Sequence, residues 1–207
     1  MLGSEAIQDR IERLESLESI RQLAAKYALA VDMRAFDALV LLYCEDVRVG
    51  ASGVGRLALL QSFKEALRPF ESTAHLVGTH VIQLLGRDSA EGVVYCRVEQ
   101  AMRAQCVIAH VMYQDTYEKP DDRWLFKHRI PRIWYVTESN APPIGPDKVR
   151  WPGTAPRAGT MHDYSPSWSG APQPSEVVAK ANFHELRFLQ QIRYPYPHTH
   201  FSAPEAG

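Results

Sequence analysis

The chain has 207 residues, enough for one large domain or for one domain of about 130 to 140 residues plus an extension. Its 45% apolar content, with 4 Trp, 9 Tyr and 7 Phe, supports a real core and excludes wholesale disorder. Lys plus Arg (23) nearly cancels Asp plus Glu (24) and neither sign forms a long block, so the electrostatic footprint of a nucleic-acid-binding protein is missing.

No apolar run approaches the roughly 18 residues that a spanning helix needs. The start, Met1-Leu2-Gly3-Ser4-Glu5, lacks the basic flank and apolar stretch of a secretion signal. A soluble, cytoplasmic protein without membrane association is expected. Cys44, Cys96 and Cys106 are too few for a disulfide framework and show no C-x-x-C spacing, which fits a reducing compartment and inert thiols.

From Ser4 to about Val31, apolar positions Ile7, Ile11, Leu14, Leu17, Ile20, Leu23 and Tyr27 recur at steps of three and four, which predicts a long amphipathic helix capped by Ser4. A shorter helical segment follows at about Phe36 to Tyr43. Gly50, Gly53 and Gly55 mark a loop, and Leu57 to Arg68 reads as a third helix closed by Pro69. Beyond Ser72 the pattern becomes extended: His75 to Leu85, Gly92 to Ala104, Val107 to Glu118 and Trp124 to Val136, separated by short turns. Helices followed by consecutive strands predict an α+β fold with an antiparallel meander curled around the helices. After residue 137 the composition changes, because 11 of the 14 prolines lie between Pro142 and Pro204. Trp151, Tyr164, Trp168 and Phe183 are among the aromatics of this extension, so it is expected to pack on the domain, on a neighbouring subunit, or over a ligand cavity. One helix is expected in it, from Ser175 to about Ile192.

Few residues could carry chemistry. Tyr27 and Asp32 close the first helix, and a carboxylate beside an apolar stripe needs a partner. His75 opens the first strand, and His110 lies in the apolar run Val107 to Tyr113. Each taken alone reads more readily as an ordinary helix-end carboxylate or a satisfied histidine than as a catalytic group. An Asp and a His that met in a cavity would form a general base working near neutral pH, because the carboxylate fixes the imidazole tautomer and raises its basicity. A metal site would need His75 and His80 on one face, which strand alternation forbids unless a bulge intervenes. No metal is expected. Gly50-x-x-Gly53-x-Gly55 lacks the Lys-Ser/Thr of a phosphate loop and reads as a turn.

The collinear set Ile20-Arg21-x-Leu23-x-x-x-Tyr27-x-x-x-x-Asp32-x-x-x-Phe36-Asp37-Ala38-Leu39, Gly55-Arg56, His75-Leu76-Val77-Gly78-Thr79-His80 and Tyr113-x-Asp115-x-Tyr117-x-x-x-Asp121-Asp122-x-Trp124-x-x-x-x-Arg129 resembles the SnoaL-like branch of the nuclear-transport-factor-2-like superfamily, over roughly residues 5 to 137. The resemblance implies a cone-shaped α+β barrel around a deep apolar pocket, commonly dimeric or trimeric. Its enzymes include scytalone dehydratase, bile-acid dehydratases, the lindane dehydrochlorinase and formaldehyde-releasing lyases of diarylpropanes. Several use a cofactor-free Asp/His base, carried here onto Asp32 and His75. Tyr27 matches a position where the dehydratases have a tyrosine, and Arg129 one where relatives have a cavity-facing arginine, with Arg132 as the competing alignment. His80 replaces an expected asparagine.

The implied activity is a cofactor-independent lyase that eliminates water or formaldehyde from a bulky aromatic or polycyclic alcohol. His75 is the base, Asp32 its support, and Tyr27 with His110 the groups that hydrogen-bond the departing oxygen. Tyr43, Phe63, His80, Met112, Tyr113 and Trp124 are the expected pocket lining. The alternatives are a noncatalytic subunit or ligand-binding protein of the same fold and a ketosteroid-type isomerase. The expected partner is a small molecule in a homodimer or homotrimer.

Overall fold

In the computed structural model the described residues are 4–145 and 147–159. Helix α1 spans Ser4–Asp32, α2 Phe36–Val40 and α3 Arg56–Leu67; strands β1 (Ser72–Leu84), β2 (Ser89–Met102), β3 (Gln105–Glu118) and β4 (Leu125–Glu138) follow. The strands form one antiparallel sheet in the order β1-β2-β3-β4, so each hairpin pairs with the next as the short turns require. The elements match those expected from periodicity, with ends displaced by a few residues. The expected helix from Ser175 to Ile192 lies outside the described residues. No helix among the described residues is long and apolar enough to cross a membrane.

The inward stripe of α1 is Ile20, Leu23, Ala24, Tyr27, Ala30 and Val31, all buried in the main core. Its N-terminal continuation, Ile7, Ile11 and Leu14, is exposed. The apolar periodicity therefore runs further than the packing does. At its other end α1 stops in a left-handed turn: Arg34 takes φ +52°, Ala35 N–H donates to Ala30 O at 2.9 Å and Arg34 N–H to Val31 O at 3.0 Å. This pair of bonds satisfies the last carbonyls and leaves Asp32 in the final helical turn, facing the start of β1.

Alternation assigns the sheet faces. Val94, Cys96 and Val98 on β2 and Val107, Ala109, Val111 and Tyr113 on β3 belong to the core between sheet and helices. Val93 and Met112 form a separate small cluster with Trp134 on the opposite face. Two register shifts re-aim side chains. Val77 pairs with Cys96 but His80 with Val94, so three residues of β1 span two of β2. Likewise Tyr117 pairs with Phe126 but Thr116 with His128, which brings Phe126 and Arg129 to the same inward face.

Gly92 pairs with Asp115 in the middle of the sheet. A Cβ there would stand 3.0 Å from Tyr117 Cε2 and 3.1 Å from its hydroxyl. Gly92→Ala is therefore expected to lower stability by about 1–3 kcal/mol through overpacking, read as a reduced urea midpoint; an unchanged midpoint would show that Tyr117 is not confined.

Candidate active site

Asp32 lies at the negative end of the α1 dipole, where a carboxylate needs donors. The first residues of β1 supply them. Thr73 Oγ1–H donates to Asp32 Oδ1 at 2.7 Å, the His75 backbone N–H donates to Oδ2 at 2.7 Å, and His75 Nδ1–H donates to Oδ1 at 2.6 Å. The last bond fixes the imidazole with its proton on Nδ1 and leaves Nε2 as a lone-pair base. The His75 side chain is only 6% exposed. Burial lowers its pKa from the ordinary histidine value, Asp32 acts in the opposite direction, and Arg129 adds to the lowering. The net result is an imidazole that is neutral at pH 7.

Tyr27 meets His75 edge-on, with ring centroids 6.2 Å apart. It is buried, and desolvation raises its pKa, partly countered by Arg129 and the Tyr113 hydroxyl. It thus stays a phenol, able to donate a proton or a hydrogen bond.

Deeper in the cone lies a second polar cluster. Arg129 Nε and Nη2 donate to the two oxygens of Asp115 at 2.9 and 2.7 Å, with both side chains almost fully buried. Tyr117 O–H donates to Asp115 Oδ2 at 2.7 Å, and His80 Nε2–H donates to the Tyr117 oxygen at 3.1 Å. Burial, the leading cause, pushes His80 down to about 4, so it is neutral there. For Arg129 burial opposes the charge, but Asp115 outweighs it and raises its pKa. The guanidinium carbon lies 4.3, 4.4 and 4.2 Å from the ring centroids of Tyr27, Tyr113 and Phe126. The charge is thereby held by one carboxylate and stacked against three rings.

The candidate residues thus separate by position. Asp32, His75 and Tyr27 come together. Arg129 faces inward, whereas Arg132 pairs opposite Met112 on the outer face, its Nε–H donating to Gln114 Oε1 at 2.8 Å. Tyr113 and Phe63 both stack against Tyr27, and Tyr43 packs on Phe63 and Phe126. His80 joins the inward cluster through the β1 bulge.

Three expected positions need correction. His110 pairs with Arg97 and Tyr135 and stacks on the Tyr135 ring at 4.8 Å, on the outer face. Burial, then Arg97, lowers its pKa. Met112 lies on that same outer face, against Val93 and Trp134. The reason is shared: both are even-numbered on β3, opposite in pleat to Val111 and Tyr113. Trp124 is buried at the far end of the cone, bordering a cleft of about 630 Å³ lined also by Glu12, Glu15, Lys119 and Asp122, none of them at the Asp32–His75 pair.

Sequence reading gave no role to Thr73, Asp115 or Tyr117. The alternation Tyr113-x-Asp115-x-Tyr117 placed those side chains on one face and was the available signal. Among the described residues, no group of three or more His, Cys, Asp or Glu side chains is arranged to hold a metal.

The site thus consists of an Asp-His pair where the long helix ends against the first strand of the antiparallel sheet. A family model described as a SnoaL-like domain matches residues 12–130, and the chain belongs to that family. An uncharacterized protein of Mycobacterium tuberculosis H37Rv is 27% identical over 138 residues, which is 63% of this chain and 88% of its own. A crystal structure designated "putative scytalone dehydratase" from Novosphingobium aromaticivorans superposes with TM-score 0.57 at 21% identity, covering 70% of this chain and 99% of its own. A hexachlorocyclohexane dehydrochlorinase from Novosphingobium barchaimii superposes with TM-score 0.58 at 19% identity, covering 66% and 99%. These neighbours, named as dehydratase and dehydrochlorinase, share the fold.

Asp115→Ala would leave the Arg129 guanidinium buried and unpaired, at an expected cost of about 3–5 kcal/mol in urea unfolding. Adding Arg129→Leu should restore part of the loss. A cost below about 0.5 kcal/mol, the range of ordinary surface changes, would mean that the pair does not support the fold.

Proposed function

We propose that the chain is a lyase in which His75 Nε2 is the general base, eliminating water or formaldehyde from a bulky aromatic or polycyclic alcohol without an organic cofactor. The observation that carries this reading is the 2.6 Å Asp32–His75 contact, which leaves Nε2 unprotonated in a buried imidazole. In dehydration, Nε2 takes a proton from the carbon next to the one bearing the hydroxyl. The C–H pair becomes the new double bond and the C–O bond breaks with Tyr27 hydrogen-bonded to the departing oxygen, which leaves as water on taking up the proton that His75 removed. With a hydroxymethyl substrate the same base takes the hydroxyl proton, the carbonyl of formaldehyde forms, and the carbon-carbon bond breaks with its electron pair going to the activated carbon, which then takes the proton back from His75. Asp32 supports the imidazolium that forms in either case. Arg129 contributes by holding Tyr27 and Tyr113 in place, since the Nε–Nη2 edge of its guanidinium is engaged by Asp115.

The names of the structural neighbours, a dehydratase and a dehydrochlorinase, support elimination chemistry in this fold. The aromatic interior supports an apolar substrate, because such sites are mostly apolar with few polar groups.

Asp32→Asn should leave the fold intact and reduce turnover by roughly two or more orders of magnitude, by analogy with carboxylates that orient a histidine base. Turnover is followed by mass spectrometry of hydroxysteroids and diarylpropane alcohols for loss of water or formaldehyde; unchanged turnover in the variant would remove the pair from the mechanism. The pH dependence follows from the neutral imidazole. Because the His75 pKa is lowered, the acid limb of kcat/KM should fall below pH 6.5, near which an unperturbed histidine titrates. Residual activity in Asp32→Asn should lose its acid limb at still lower pH, since the carboxylate that raises the His75 pKa is gone. An acid limb above 6.5 in the unmodified protein contradicts the assignment.

A further inference from the structure

The chain continues past the family-model match, and its first described part returns to the sheet. Val149 is fully buried and bridges Val136 in parallel. Val136 N–H donates to Lys148 O and Arg150 N–H to Val136 O, both at 2.8 Å. This strap is held from outside as well: Val149 also bridges Arg157, and Gly153 takes φ +77° with the Arg103 guanidinium lying where a Cβ would be. The cross-strand register then runs His75, Val98, Ala109, Val136, Val149 in one row. The next row toward the open end is Thr73, Gln100, Val107, Glu138. Trp151, two residues beyond Val149, reaches that level.

Two features of the second row lack a structural purpose of their own. Trp151 packs against the core, and its ring centroid lies 5.6 Å from that of Phe70, two residues before the start of β1. The two ends of the curled sheet are thus joined by an aromatic pair at the rim above the Asp32–His75 row. Gln100 is 8% exposed, on the inward face between His75 and that rim, and its Oε1 is buried without a hydrogen-bond partner among the described residues. A buried carbonyl oxygen without a donor is destabilising, and such atoms are rare unless something else supplies the donor.

We propose that Gln100 with Phe70 and Trp151 forms a recognition subsite for a hydroxyl-bearing aromatic ring. The ring contacts Phe70 and Trp151, and its O–H donates to Gln100 Oε1. This deepens the lyase reading and rests on it for the placement of the reacting carbon beside His75; the subsite itself is read by binding alone. It narrows the substrate class to hydroxylated aromatics over wholly apolar polycycles, and it makes the strap that carries Trp151 part of the substrate site.

The test uses the full chain and two probes of nearly equal shape, naphthol and methylnaphthalene, with affinities measured by calorimetry. In the unmodified protein naphthol should bind more tightly, and Gln100→Leu should shift the ratio of the two dissociation constants by about tenfold against naphthol, the size of one lost neutral hydrogen bond. Gln100→Met gives the same readout should the leucine variant fail to fold. Trp151→Ala should weaken both probes by a similar factor and leave their ratio unchanged. The proposal is overturned by a ratio that survives removal of Gln100, by equal binding of the probes to the unmodified protein, by no binding of either, or by a Trp151 variant that binds as before. Asp32→Asn is carried alongside: loss of turnover with the probe ratio intact supports both readings. If turnover persists in that variant while the ratio responds to Gln100, the lyase mechanism fails and the subsite stands.

Discussion

The structure depends on how one carboxylate is satisfied. Asp32 ends α1 where the helix dipole disfavours negative charge, and the hydroxyl, backbone N–H and imidazole N–H that stabilise it all come from Thr73 and His75 at the start of β1. That cluster does structural and chemical work together. It ties the long helix to the first strand of the sheet that wraps it, and it decides which imidazole nitrogen carries the proton. The rotamer of His75, its tautomer and its position beside the end of α1 follow from the same contacts, so the base needs no separate positioning element.

The rest of the interior sets the electrostatic balance around that base. Arg129 is the only positive group placed against Tyr27, Tyr113 and Phe126 among the described contacts, and it is neutralised by Asp115 before it reaches His75 as a residual field. The field and the burial both favour the neutral imidazole; Asp32 opposes them. A strongly desolvated arginine is tolerated because its fork is matched to a carboxylate with a tyrosine and a histidine behind it. The chain thus keeps two buried polar groups of different character: a base beside the end of α1 able to change charge, and an ion pair in the depth that does not.

The order of elements was legible because both periodicities are clean: α1 and α3 step by three and four, and the four strands are separated by obvious turns. The exposed Ile7, Ile11 and Leu14 show the limit of that reading, since periodicity describes a stripe and not what covers it. The Asp32–His75 pair was legible only through the spacing of a whole set of residues, not from either residue alone. Side-chain direction along the strands was harder. His80 turns inward through a bulge at Gly78 and Thr79, for which the glycine inside the strand was the one local signal, and Phe126 and Arg129 share a face through a second register shift. His110 and Met112 were misplaced because β3 is apolar on both faces from Val107 to Tyr113, which erases the polar alternation that would have separated them. The Arg129–Asp115 pair and the Phe70–Trp151 contact join residues distant in sequence through register and curvature, and neither is encoded in spacing.

The most direct test of the central claim is nuclear magnetic resonance of the protein carrying isotope-labelled histidine, followed through an acid titration, with His75 assigned by its loss in His75→Gln. The account requires His75 to show a protonated Nδ1 and an unprotonated Nε2 at pH 7, and to take up its second proton below the ordinary histidine value of 6.5. A His75 that is already doubly protonated at neutral pH, or that carries its proton on Nε2, would contradict it.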